Sequence, residues 1–232
     1  MADRRGRAAL LGLTLALVVA LLLTINQVGS GDGDDGDTVA NGVAQLQETD
    51  GDGMHGAVLT TPYRLTDARL TDSGGRGFDL HEKLTAPLTL VFFGYSHCPD
   101  ICQVVMADLA STVARLEESQ AEQVEVWFVT TDPARDDPPT LRRYLDRFDP
   151  SFEGLTGSLP DIVRVADSVH VAIEKGARLP SGGFEVSHGT PVLGIRDDGS
   201  VPILWTEGTS AARLAEDVHT LLTEGIPAGA AS

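Results

Sequence analysis

Cys98 and Cys102 are the two cysteines of this 232-residue chain, and they stand in the run F-G-Y-S-H-C-P-D-I-C. On a helix, residues four apart project from one face about one turn, ~5.4 Å, from each other. Two sulfurs so placed can meet one small cation, or each other after modest backbone adjustment. The amino terminus of a helix also lowers a thiol's pKa and favours the thiolate, the form that binds metal or attacks a disulfide. Pro99 suits the first helical position, where its missing N–H would have gone unpaired, and Asp100 in the first turn complements the helix dipole. The plain alternative is a pair of buried cysteines acting as small hydrophobes, or a structural disulfide in an oxidising compartment. A position between a strand and a helix weighs against it, because a hydrophobe needs no such place.

Two thiolates suit a soft ion, with copper in the +1 state the leading candidate. That ion accepts three ligands, so a histidine is the natural supplement, and six are present. His55 and His81 lie in polar stretches, His219 sits on an amphipathic helix near the carboxyl terminus, and His170 ends a helix. Each of these reads as a surface or structural residue. His97 adjoins Cys98 but precedes the helix, so its ring is expected to point away. His188 differs: it follows the Ser181-Gly182-Gly183 loop and precedes Thr190-Pro191 and an apolar strand. In a thioredoxin-like topology that segment lies across from the thiol-bearing helix start, which makes His188 the expected third ligand. Asp132, in T-T-D-P-A-R-D (Thr130 to Asp136), sits at a strand end where α/β sites collect. An ion pair with Arg135 that shapes the loop is the preferred reading there, over direct chemistry. Met106, one turn beyond Cys102, reads as core packing. The chain has no phosphate-cradling glycine loop, serine elbow or paired-histidine zinc motif.

These residues need elements to position them. Leu88 to Gly94 (LTLVFFG) and Val124 to Val129 (VEVWFV) are short continuous apolar runs, as expected of strands buried on both faces. Between them, Val105, Leu109, Val113 and Leu116 follow the helical period from Asp100 to about Ser119. Pro139 to Phe148 and Pro160 to about Val169 read as helices with proline in the first turn. Pro191 to Ile195 and Val201 to Trp205 are strands joined by Asp197-Asp198-Gly199, a hairpin signal. Ser210 caps a last amphipathic helix through about Leu222. This order predicts an α/β, thioredoxin-like fold with a mixed sheet flanked by helices.

Composition limits the rest. With 34 acidic and 17 basic residues the net charge is −17, which opposes unaided binding to nucleic acid or to anionic lipid. Arg4, Arg5 and Arg7 precede an uncharged apolar run, Ala8 to Ile25, of 18 residues. That is about the length that crosses a bilayer, and the arginines place the amino terminus in the cytoplasm. A cleaved signal peptide is the competing reading, but the run exceeds the usual ~7–15-residue apolar core of one. No cysteine lies near its end to carry a lipid. The expected organisation is a cytoplasmic stub and transmembrane anchor (1–28), an acidic linker (29–58), one domain (59–225) and a tail (226–232). The linker reads as solvated and extended, since its seven acids repel and little in it can be buried. A charge of −12 remains on residues 54–232, 26 acids against 14 bases.

The chain resembles the SCO/SenC family of copper-handling proteins. The resemblance rests on F-F-G-Y-S-H-C-P-D-I-C (Phe92 to Cys102), T-D-P-A-R-D (Thr131 to Asp136), F-E-G-L-T-G (Phe152 to Gly157) and E-V-S-H (Glu185 to His188). It extends from about Tyr63 to Leu222 and includes the amino-terminal anchor. It implies a thioredoxin-like domain on the periplasmic or extracellular side, with Cys98, Cys102 and His188 binding copper destined for the binuclear centre of cytochrome c oxidase. Family members have been assigned copper delivery, reduction of the receiving site's disulfide, or both. Asp132 matches an acidic position of the family's loop motif, and the resemblance thereby makes it a secondary site candidate. Two positions depart from the pattern: Gln103 stands where proline is usual, and Ser187 where aspartate usually precedes the histidine. The expected partner is the oxidase's copper-bearing subunit or another copper donor or acceptor. A thiol–disulfide reductase is the second reading, and a redox or copper sensor the third. The sequence leaves the oligomeric state open.

Overall fold

The computed structural model describes residues 53–178, 184–188 and 191–226, with 174–178 and 184–188 described by their backbone alone. The expected anchor and the linker as far as Asp52 lie outside the described residues. Among those described, no helix is long and apolar enough to cross a membrane.

The strands are β1 (Ala57–Arg64), β2 (Arg69–Asp72), β3 (Gly77–Asp79), β4 (Leu88–Gly94), β5 (Val124–Thr130), β6 (Glu153–Thr156), β7 (Ile173–Arg178), β8 (Phe184–His188), β9 (Val192–Ile195) and β10 (Ser200–Trp205). The helices are α1 (Leu80–Lys83), α2 (Ile101–Val113), α3 (Glu118–Ala121), α4 (Pro138–Leu145), α5 (Leu159–Ser168) and α6 (Ala211–Thr223). Eight of the described strands form one sheet in the order β1-β10-β9-β4-β5-β6-β2-β3, while β7 and β8 form a separate ribbon. β4 pairs parallel with β5 and antiparallel with β9, and β5 pairs parallel with β6. The mixed sheet flanked by helices expected from the sequence is present.

Every residue of β4 is buried, because both faces of the sheet are covered. Alternate side chains enter different layers, as the two-residue period of a strand requires. Leu88, Leu90 and Phe92 of β4, with Val126 and Phe128 of β5, pack under α2, α4 and α6. Val91, Phe93, Trp127 and Val129 pack against α1 and α5 on the other side. Burying each large apolar side chain contributes about 1.5–3 kcal/mol. Met106 is fully buried in the first layer, which fits the packing role read from the sequence.

The expected hairpin is present. Gly199 supplies the positive φ of its turn, +78°, a conformation a β-carbon would strain, and its N–H reaches the Arg196 carbonyl at 2.9 Å. Packing onto the core reaches ahead of β1. Buried Asp217 of α6 accepts the backbone N–H of His55 (2.9 Å) and Gly56 (2.8 Å) and the indole N–H of Trp205 (2.7 Å), so residues 55 and 56 are stitched to the core ahead of β1. At the other end, Ile226 packs against the first layer, and the rest of the expected tail lies outside the described residues.

Candidate metal centre

β4 and β5 end level with each other, Gly94 beside Thr130. Their two outgoing loops therefore leave the sheet side by side. The Thr131 N–H bonds to the Gly94 carbonyl at 2.7 Å, and the Thr131 hydroxyl donates to the same oxygen at 3.2 Å. The first loop carries the thiols. The second carries Asp132 and Asp136.

In the first loop the N–H of Cys98 closes a turn onto the Tyr95 carbonyl at 3.1 Å. The helix then starts at Ile101, not at Pro99 as expected, with Asp100 in the non-helical position φ −143°, ψ −87° and no side-chain cap. The turn at Tyr95–Cys98 holds the backbone away from helical geometry until Asp100 is passed. Cys98 thus lies before the helix and Cys102 in its first turn. The backbone N–H of Cys102 points at the Cys98 sulfur, 3.4 Å away. That sulfur occupies the place of a capping acceptor for one of the amide groups a helix start leaves unpaired.

Both cysteines are buried, Cys98 5% exposed and Cys102 fully enclosed. Gly94 makes room for the second: a β-carbon there would stand 3.2 Å from the Cys102 sulfur and closer still to the rings of Phe92 and Phe128. Burial pushes the Cys102 thiol well above its ordinary pKa, and its hydrogen bond with Cys98 adds to the rise. Two tyrosines border the pair. Tyr95 is raised by burial and then by the negative charge available to both thiols, and the Arg135 guanidinium over its ring at 5.9 Å partly offsets this. Tyr144, its ring tilted against that of Phe128, is raised chiefly by burial and then by the negative charge available to both thiols, and its hydroxyl makes no hydrogen bond among the described residues.

Asp132 is 4% exposed and ion-paired with the Arg135 guanidinium, while its N–H bonds to the Thr130 hydroxyl at 3.0 Å. This is the loop-shaping pair preferred from the sequence; no described contact links Asp132 to a thiol. Asp136 is the residue that sequence reasoning passed over. Fully buried, it accepts the Ser96 N–H (2.9 Å), the Ser96 hydroxyl (2.5 Å) and the Thr130 hydroxyl (2.7 Å). It binds the thiol loop to the strand end. Its signal lay in the T-D-P-A-R-D run, but the partner it holds is 40 residues away. His97 is half exposed, its Nδ1 2.9 Å from the Ser96 hydroxyl and 3.5 Å from Asp136.

His188 is the last residue of β8 and pairs with Ile173 of β7; its side chain lies outside the described residues. Four residues on, Val192 pairs with Phe92, two residues before Gly94. Four residues of chain span at most ~14 Å, so the ribbon's end is tethered to the same end of the sheet as the thiols. Among the described residues, no cluster of three or more His, Cys, Asp or Glu could hold a metal ion. The remaining histidines have structural partners, as expected: His55 with Glu216, His81 with the Leu65 carbonyl, His219 with Gln120, and His170, just past α5, with its ring tilted against Tyr63. Two adjacent, buried, soft donors with a proton to release are the chemical content of the described site.

The fold has counterparts among known proteins. The SCO1/SenC family model matches residues 57–223. The bovine protein SCO2 homolog, mitochondrial, is 35% identical over 130 residues, which is 56% of this chain and 47% of that one. The chain spans about half the length of the curated relatives it matches first. Among solved structures, ScoI of Bradyrhizobium japonicum with copper bound is 28% identical with a TM-score of 0.58, covering 69% of this chain and 98% of that one. Apo Sco1 of Thermus thermophilus is 29% identical with a TM-score of 0.65, covering 72% and 96%. Since the matched stretch runs from the first strand of the sheet to the last helix and takes in both thiols, the chain belongs to the SCO1/SenC family.

Proposed function

We propose that this protein is a membrane-tethered copper chaperone that holds one Cu(I) through Cys98, Cys102 and His188 and delivers it to the binuclear copper site of cytochrome c oxidase. The observation that carries the reading is the pair of buried thiols whose backbone and sulfur meet at 3.4 Å at a helix start. Two soft sulfur donors in apolar surroundings suit Cu(I) better than a hard cation, and a relative of the same fold has been solved with copper bound. The apolar run at residues 8–25 would anchor the chain, with its amino terminus in the cytoplasm and the domain on the periplasmic or extracellular side.

Delivery proceeds by ligand exchange with no change of oxidation state. An incoming thiol gives up its proton as its sulfur takes copper, and the cysteine it displaces recovers one. Cys102, whose proton is held tightly, regains it readily and so favours release. In competition titrations with a Cu(I) chelator, His188→Ala in the full-length protein should weaken binding on the order of 100-fold, at or beyond the ~10–100-fold typical of losing a residue that merely orients a ligand. Cys98→Ser should abolish it, and circular dichroism should show both variants folded. Unchanged affinity in His188→Ala would remove that residue from the ligand set.

The same thiols support a second reading, reduction of the receiving site's disulfide. Cys98, the slightly exposed member, would attack one acceptor sulfur. Cys102 would then attack Cys98, leaving a disulfide here and two thiols on the acceptor. Disulfide turnover that survives His188→Ala in metal-free protein would favour this role over delivery.

A further inference from the structure

Beside the thiol loop runs a groove of about 460 Å³ between the start of α2 and the segment joining β10 to α6. Its floor is apolar: Val105 and Leu109 of α2, Trp205 of β10 and Leu214 of α6, all buried. Val104 stands at its edge 52% exposed, and it is the large hydrophobic side chain that the described surface leaves open to solvent. The charged residues among those lining it are Asp100, Asp108 and Glu207, with no lysine, arginine or histidine. Asp100 and Ile101, which lie between the two cysteines, form its near end.

We infer that this groove is the docking site of the copper-exchange partner, which enters it with a lysine- or arginine-bearing segment carrying one or two large apolar anchors. The inference rests on the copper-handling reading and names the chemistry of its partner. An apolar floor and one exposed aliphatic side chain favour an inserted side chain over water, and anchors of this kind dominate the energy of peptide docking. The acidic rim selects the sign of the segment, since like charges facing each other cost several kcal/mol while opposite charges steer approach. The same argument excludes a second copy presenting this rim. Because the groove shares Asp100 and Ile101 with the thiol motif, a segment seated in it brings the adjoining residues of the partner to the sulfurs.

The test uses the full-length protein in phosphatidylcholine nanodiscs and a fluorescein-labelled synthetic peptide of lysine and leucine, with empty nanodiscs as the blank. Anisotropy titrations compare the parent protein with Asp108→Lys/Glu207→Lys, with Val104→Ser, and with Asp67→Lys/Asp167→Lys, an equal charge change at exposed positions outside the groove. Groove charge reversal should weaken binding at least ~10-fold and Val104→Ser about 3-fold, while the control pair stays within about 2-fold. Cu(I) affinity, measured on the same samples, should hold in all three variants. Equal loss in the control and groove variants, or no loss in either, overturns the docking site and leaves the copper reading standing. A parent protein that takes the peptide but binds no Cu(I) overturns the copper reading instead.

Discussion

The two loops that leave β4 and β5 side by side handle polarity in opposite ways. The loop after β5 buries charge and satisfies it completely: Asp132 pairs with Arg135, and Asp136 gathers three hydrogen bonds. The loop after β4 buries two sulfurs, which need no such partners and sit among Phe92, Phe128 and Met106. The second loop does the holding, so the first can present soft donors in an apolar setting. A carboxylate among the thiols would favour a harder cation and add charge that Cu(I) does not require. The buried acids Asp132 and Asp136 lie one strand away, and Asp100, between the cysteines in the chain, is exposed, yet Asp136 still reaches across to fix Ser96, two residues before Cys98.

Removing that reach is the largest perturbation. Asp136→Ala leaves the Ser96 N–H and two hydroxyls without their acceptor inside the core, at a cost of about 3 kcal/mol. Chemical denaturation should show that loss, and Cu(I) affinity should fall about 10-fold because the turn leading to Cys98 is no longer pinned. If stability drops and affinity does not move, the loops are merely neighbours and the division of labour fails.

What could be read in the sequence follows from how local each cause is. β4 and β5 announce themselves because burial on both faces demands unbroken apolar runs, and the thiols' adjacency follows from a spacing of four. β1 was not legible: it is an edge strand, largely exposed, with Pro62 inside a register break between Val58 and Tyr63, and its partner β10 is about 140 residues away. β6 is four residues long, and β7 (IEKGAR) carries charges that hide a strand. Asp132 drew attention and Asp136 did not, because a buried carboxylate is recognised by its distant partners, not by its neighbours in the chain. The helix start was misplaced by two residues for a similar reason: the tie from Ser96 to Asp136 and the turn at Cys98 outweigh the preference of proline for the first helical position.

The thiol loop also predicts a pH dependence that the acid loop does not. Burial raises the Cys102 pKa, so at neutral pH the thiol keeps its proton, and a metal bound by Cys102 would have to displace it. Below that raised pKa, each unit of increasing pH should therefore strengthen apparent Cu(I) affinity about 10-fold for the proton Cys102 releases. The direction is the reverse of what a site stabilised by protonated groups would show. Titrations from pH 6 to 9, referenced to the chelator's own protonation, measure it, and a flat profile would mean that Cys102 is not a ligand.

A smaller effect separates scaffold from ligand within the acid loop. Asp132→Asn removes the partner of Arg135, which is 17% exposed, and should cost about 1–2 kcal/mol, between an exposed and a buried pair. Cu(I) affinity should stay within about 3-fold, since the Asp136 tie is intact. A loss comparable to that of His188→Ala would instead make Asp132 part of the copper site.

The smallest effect belongs to Gln103, where the family pattern has proline. The Gln103 side chain is exposed, and its backbone N–H reaches only the Asp100 carbonyl, at 3.2 Å. Proline would remove that one first-turn bond, in a part of a helix where proline's fixed φ is tolerated and the lost bond is weak. Gln103→Pro should therefore change stability by no more than about 1 kcal/mol, and it should leave Cu(I) affinity unchanged, because the bond that orders the sulfurs comes from the N–H of Cys102. An affinity that rose several-fold would show that the helix start is looser here than in a chain with proline, and that the turn pinned by Asp136 does not by itself set the sulfur geometry.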